Sequence, residues 1–210
     1  MKRLLRYSVT ALALCITVVM AFNYWLINRT LPTTQQLATK ETVLYFGYGS
    51  NMPTRYLANI RHVLIIESHA GMAKDYAMQF SSSSLWFEPA FANIYQSNGT
   101  VSYGVLHRIS RADLDRITRS EGSNYSLELI EVDNLTTGSQ TDAWTLVGDR
   151  QLSESNPSQR YLDWLLEGAR EHGLPEDYID QLAHLNGFYV PILSECVGSI
   201  IHIMVALTAR

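Results

Sequence analysis

Cysteine is nearly absent: two residues in 210, Cys15 and Cys196, the first of them inside an apolar stretch. Such a pair makes neither a disulfide framework nor a zinc pattern, so the fold has to rest on its core. Histidine is thin as well, six scattered residues without an HExxH or comparable spacing, which leaves no recognisable metal-ligand set. Long Lys/Arg runs are missing and the formal charge is -4. Phosphate-backbone binding needs a concentrated basic patch, so a nucleic-acid surface is not expected. There is no Gly-Lys-Ser/Thr phosphate loop, and no internal repeat. What remains is room for one domain of ordinary size plus an appendage, with a small molecule or a protein as its partner.

The first residues differ in kind from the rest. Lys2, Arg3 and Arg6 precede residues 8–27, which carry no charge, and a stretch of about 20 residues matches the hydrocarbon thickness of a bilayer. Val19-Met20-Ala21 allows a cleaved signal peptide, but the apolar run continues through Phe22, Tyr24, Trp25, Leu26 and Ile27, as an uncleaved anchor with an aromatic belt would. On this reading residues 1–27 are a single-pass membrane segment. The basic flank then places the rest of the chain on the non-cytoplasmic side. Residues 28–42 read as a polar linker, residues 43–190 as the globular domain, and residues 191–210 as an apolar tail packed as strand or helix.

The most informative stretch of the domain is VLYFGYGSNM, residues 43–52. A buried strand runs into Gly47-Tyr48-Gly49-Ser50-Asn51, and a helix is expected after it, with Asn51 as N-cap and Pro53 in the first turn. Free backbone N–H groups at such a turn suit an anion. A tight strand-to-helix turn with no ligand fits the local pattern equally. A dinucleotide fingerprint is matched only in part, because Met52 stands where a small third residue is needed. Ser50 lacks the GxSxG surroundings of a hydrolase nucleophile.

Beyond this loop the pattern is of strands with helices between them. Residues 62–68 and 72–80 read as strands, followed by a serine loop at residues 81–84. Residues 89–96 and 101–108, joined by Ser97-Asn98-Gly99, read as a hairpin. Ser110 and Asp113 form an N-cap pattern for a helix that stops at Gly122, with Glu121 at the stop. Residues 125–132 and 141–147 are further strands, and helices follow Pro157 and Pro175. Antiparallel strands interrupted by helices imply an α+β domain.

The run LYFGYGSNM resembles the YGSN loop of the γ-glutamylcyclotransferase-like proteins. Phe91-Ala92-Asn93-Ile94-Tyr95-Gln96, Gly104-Val105, Ser120-Glu121-Gly122 with Tyr125, and Gly168-Ala169 with Gly173-Leu174-Pro175 and Tyr178 follow in the family's order. The resemblance covers residues 43–185. It implies a mixed-sheet barrel with flanking helices, and cofactor-free cyclisation of a γ-glutamyl group to 5-oxoproline with release of an amine. It also implies that Tyr48, Gly49, Ser50, Asn51 and Tyr125 bind the glutamyl moiety and that Glu121 is the catalytic acid/base. A carboxyl group suits that chemistry, since the attacking α-amine must lose a proton and the departing amine must gain one. The other reading is a membrane-tethered binding domain that keeps the fold without the activity. The sequon Asn124-Tyr125-Ser126 lies beside Glu121, where a glycan would obstruct the site.

Overall fold

The computed structural model describes residues 2–29, 41–85, 88–121, 125–148 and 153–209, with side chains omitted for residues 2–11, 82, 84 and 85. Most of the anticipated linker, the helix stop at Gly122 and Asn124 of the sequon lie outside the described residues. The elements run α1 (Lys2–Asn28), β1 (Thr42–Gly47), α2 (Thr54–Asn59), β2 (Ile65–Leu85), β3 (Glu88–Ser110), α3 (Arg111–Ser120), β4 (Tyr125–Asn134), β5 (Gln140–Gly148), α4 (Gln159–Glu171), α5 (Glu176–Ala183) and α6 (Leu193–Thr208).

The five strands close into a barrel in the order β1-β3-β2-β4-β5. All neighbours are antiparallel except β1 and β5, which meet parallel at Tyr45 and Trp144. The apolar run of β1 is explained by burial on both faces, since successive side chains of a strand point to opposite sides. Phe46 packs with Leu106, Ile130, Val132 and Leu165 of α4, while Tyr45 packs with Ile109, Leu146 and, from α3, Leu114 and Ile117. Helix α3 begins as its N-cap pattern requires: Ser110 Oγ accepts from Asp113 N at 3.1 Å. Ser158 caps α4 in the same way, accepting from Tyr161 N at 3.1 Å.

Three local expectations are revised. Residues 89–96 and 101–108 do not pair with each other, because both belong to the single strand β3 and both pair with β2. Gly99, at φ +77°, sits instead in an irregularity where its N–H reaches Asp75 Oδ1 at 2.7 Å. The serine run lies within β2 rather than in a loop, because Ser81 and Ser82 pair with Phe91 and Ala90. Asn51 is not a helix cap: Pro53 holds that position, α2 starts at Thr54, and a turn separates the glycine loop from a helix of only six residues.

The expectation of a membrane anchor is overturned. Among the described residues no helix is long and apolar enough to cross a membrane, so the single-pass assignment, the membrane partner and the non-cytoplasmic placement built on residues 1–27 fall with it. The last turns of α1 dock on the domain. Leu26 is buried with Tyr56, Ile60, Trp164 and Ala206, and Asn23 Oδ1 meets His202 Nδ1 at 3.0 Å. These contacts involve only the end of the helix, since Leu12, Leu14, Val18, Phe22, Tyr24 and Trp25 are exposed.

Candidate active site

The glycine loop leaves the barrel at the end of β1 and is held from three sides. Tyr48 Oη donates to the Leu146 carbonyl of β5 at 2.6 Å, tying the loop to the neighbouring strand. Tyr161 Oη, from α4, accepts the Ala92 N–H at 3.1 Å and also hydrogen-bonds the backbone of Ser50. That hydroxyl lies where a side chain on residue 49 would go, since a Cβ there would be 2.7 Å from it, so position 49 has to be glycine. Gly168 does the same on the other side, where a Cβ would stand 2.5 Å from Met52 Cβ. His107 fixes the end of the loop, its Nε2 donating to the Asn51 carbonyl at 3.1 Å while Nδ1 faces Ser68 Oγ at 2.8 Å. Burial, then the nearby His172, lowers the His107 pKa to about 3, so this imidazole is neutral and a single-tautomer donor.

Glu121 follows the last residue of α3, with extended backbone, and its carboxylate turns into the cleft beside the loop. Asn51 Nδ2 donates to Glu121 Oε1 at 3.1 Å and to Tyr45 Oη at 2.9 Å. Two acceptors on one nitrogen fix the orientation of that amide. Arg61, with its side chain 4% exposed, pairs with the same Oε1, and it also donates to Ser120 Oγ. Among the described residues no bond reaches Oε2, which leaves that oxygen for a ligand in the cleft. Tyr125 Oη is turned to the Ala92 carbonyl at 3.0 Å, so this phenol braces β3 while its ring lines the cleft. Burial raises the pKa of Tyr45, Tyr48, Tyr125 and Tyr161, and each acts only as a neutral phenol.

These groups form one wall of a cleft of about 490 Å³. All six residues singled out in the sequence line it: Tyr48, Gly49, Ser50, Asn51, Glu121 and Tyr125. Four other contributors were not anticipated. Arg61 and Tyr45 hold the carboxylate and the asparagine, Tyr161 props the loop, and α6 closes the far side with Ile201 and Val205. Tyr161 was legible only as a core position of α4. A lone arginine ten residues beyond the loop carries no local signal of burial. Among the described residues there is no His/Cys/Asp/Glu group suited to a metal ion.

Comparison with known proteins gives a consistent picture. The model of the AIG2-like family matches residues 102–182, a stretch that contains Glu121, Tyr125 and α4 but neither the glycine loop nor α6. The chain is 26% identical over 148 residues to the γ-glutamylcyclotransferase of Mus musculus, covering 68% of this chain and 78% of the mouse protein. It is 27% identical over 172 residues to γ-glutamyl cyclotransferase aclK of Aspergillus oryzae, covering 71% of this chain and 63% of the fungal one. A solved γ-glutamyl cyclotransferase structure superposes with a TM-score of 0.64 at 23% identity, over 72% of this chain and 92% of the other, and shows the same fold.

Proposed function

We propose that the chain is a γ-glutamylcyclotransferase-like enzyme, one that converts a γ-glutamyl amide to 5-oxoproline and a free amine, with Glu121 as proton shuttle. The observation that carries this reading is the Asn51 to Glu121 hydrogen bond of 3.1 Å. It joins the glycine loop to a carboxylate 70 residues further along the chain, so one cleft offers both a place for the glutamyl head and a base beside it.

In this mechanism the α-amine nitrogen attacks the γ-carbonyl carbon of its own side chain. The new N–C bond closes a five-membered ring, and the bond from that carbon to the leaving nitrogen breaks. Glu121 Oε2 accepts the proton released by the α-amine and returns it to the leaving nitrogen, so the carboxylate ends as it began. Arg61 and Asn51, both on Oε1, keep the carboxylate aimed. Backbone N–H groups of residues 49–51 are the candidate donors for the substrate α-carboxylate or for the developing oxyanion. The attack is intramolecular, so most of the acceleration has to come from folding the substrate into a near-attack shape.

The test is incubation of the full chain with γ-glutamyl dipeptides, γ-glutamyl amines and glutathione, with detection of 5-oxoproline. Product from at least one of them is expected. Calorimetric binding of such ligands without any product would favour a non-catalytic binding domain.

A further inference from the structure

We propose that α6 makes the leaving-group half of the cleft and selects an uncharged apolar amine, aromatic or branched aliphatic, over one that carries a carboxylate. This deepens the cyclotransferase reading and rests on it for the orientation of the substrate. With the glutamyl head at residues 48–51 and Glu121, the leaving amine extends toward the remaining walls. Beside Ser81, Ser83 and Arg160, those walls hold Trp164 of α4, Tyr56 of α2, and Ile201 and Val205 of α6. Tyr56 and Trp164 meet edge to face with ring centroids 5.2 Å apart. Apolar side chains thus face the tail of the substrate from three helices.

Charge in the cleft points the same way. Its lining holds two arginines, Arg61 and Arg160, and each already has a carboxylate. Arg61 is paired with Glu121. Arg160 donates through Nε to Glu88 Oε1 at 2.9 Å and pairs through Nη2 with the same oxygen at 2.8 Å, while Glu88 is 0% exposed. A leaving group with a free carboxylate would therefore bury a charge against an apolar wall where both guanidiniums are engaged.

Helix α6 is fixed firmly enough to act as a wall. His202 Nε2 accepts from Arg160 Nη1 at 2.6 Å and from Trp164 Nε1 at 3.2 Å, and its Nδ1 meets Asn23 at 3.0 Å. Gly198 lets the helix lie on Arg160, since a Cβ there would be 2.2 Å from the Arg160 Cδ. Ile201 and Val205, one turn apart, are thereby aimed at the cleft. The helix lies beyond residues 102–182, the stretch that matches the family model.

The experiment compares γ-glutamylbenzylamide with γ-glutamylglycine as substrates of the full chain. N-glutarylbenzylamide and N-glutarylglycine, which have no α-amine and cannot cyclise, serve as calorimetric ligands. A kcat/KM at least about tenfold higher for the benzylamide is expected, with a similar ratio in binding of the glutaryl pair. Val205→Arg, which adds an unengaged cation to the wall, should move the substrate ratio by about tenfold toward glycine. Circular dichroism and thermal unfolding check that it folds. Equal turnover of the two substrates, or a preference for glycine, overturns the inference while leaving the cyclotransferase reading intact. Tighter binding of glutarylbenzylamide with no 5-oxoproline from either substrate supports the apolar wall and overturns the reaction. Failure of both glutaryl ligands to bind, with no 5-oxoproline from either substrate, overturns both.

Discussion

Glu121→Gln is the perturbation from which the site can be read most fully, because it acts on chemistry and on stability by separate routes. The amide cannot accept the α-amine proton, so turnover should fall at least about a hundredfold. The same change orphans Arg61, whose side chain is 4% exposed and whose one carboxylate partner among the described residues is Glu121. Removing one partner of a fully buried pair costs about 3–5 kcal/mol. Since Glu121 itself is 18% exposed, solvent screening reduces this to about 2 kcal/mol, or a fall in Tm of about 4–8 °C for a chain of this size. Arg61→Met in the same protein removes the unpaired cation, so the double variant should recover most of the lost Tm and none of the lost turnover. Thermal unfolding and 5-oxoproline formation on the four proteins of the cycle separate the two effects. Glu128→Gln is the control, since Glu128 is exposed on β4 and bonded only locally to Ser126. A folded Glu121→Gln protein with near-normal turnover would refute the assignment of the shuttle. Additive stability losses in the double variant would refute the role given to the ion pair.

Three further outcomes are expected. Gly49→Ala drives a methyl group into the Tyr161 hydroxyl, 2.7 Å away, and should cost about 1–3 kcal/mol of stability; Tyr161→Phe should return part of that in chemical denaturation, and no recovery would mean that the loop is strained elsewhere. His107 and His202 have pKa values lowered to about 3 and about 2 from 6.5, largely by burial. Below pH 6.5 the unfolded chain binds protons that the folded one does not, so stability is complete above that pH and should fall by about 1.4 kcal/mol per unit for each histidine as the solution is acidified; a Tm that stays flat from pH 7 to pH 5 would show that neither is held neutral. Turnover should be unaffected by a chelator, because the proposed step needs only proton transfer and backbone donors; loss of activity that one particular metal restores would contradict it.

How much of this was legible in the sequence depended on whether a signal was local. The N-cap pattern of Ser110 and Asp113, the apolar faces of α3 and α4, and the break of the chain at Gly47 to Gly49 are short-range features, and all appear in the structure. The loop residues and Glu121 were found through a family pattern rather than through any property of their own. Pairing was harder. Ser97-Asn98-Gly99 has the composition of a hairpin turn, but β2 supplies a partner for both of its flanks, from Ser82 with Ala90 to Glu67 with Arg108. The uncharged stretch at residues 8–27 has the length of a membrane span, yet its last turns dock on the domain through Asn23 and Leu26 while Leu12, Leu14 and Val18 stay exposed. Arg61 and α6 stayed hidden because burial of a cation and closure of a cleft are decided by tertiary contacts alone.

The one parallel pair in the barrel, β1 with β5, bears on the order of assembly. Only β2 with β3 and β4 with β5 join consecutive strands; β1 with β3 and β2 with β4 pair across intervening elements, and this seam, which joins Tyr45 to Trp144, spans the longest stretch of chain. Two bonds stitch it at the glycine loop: Thr145 Oγ1 to the Phe46 carbonyl at 2.8 Å and Tyr48 Oη to the Leu146 carbonyl at 2.6 Å. Closing so long a loop is entropically costly and comes late in folding. A ribosome-bound chain that has emerged only as far as β4 carries the whole YGSN loop and Glu121, yet lacks the strand against which the loop is set. Competence for substrate should therefore not precede closure of the ring by β5, and it waits further for α4, whose Tyr161 props the loop, rather than accumulate as the chain grows.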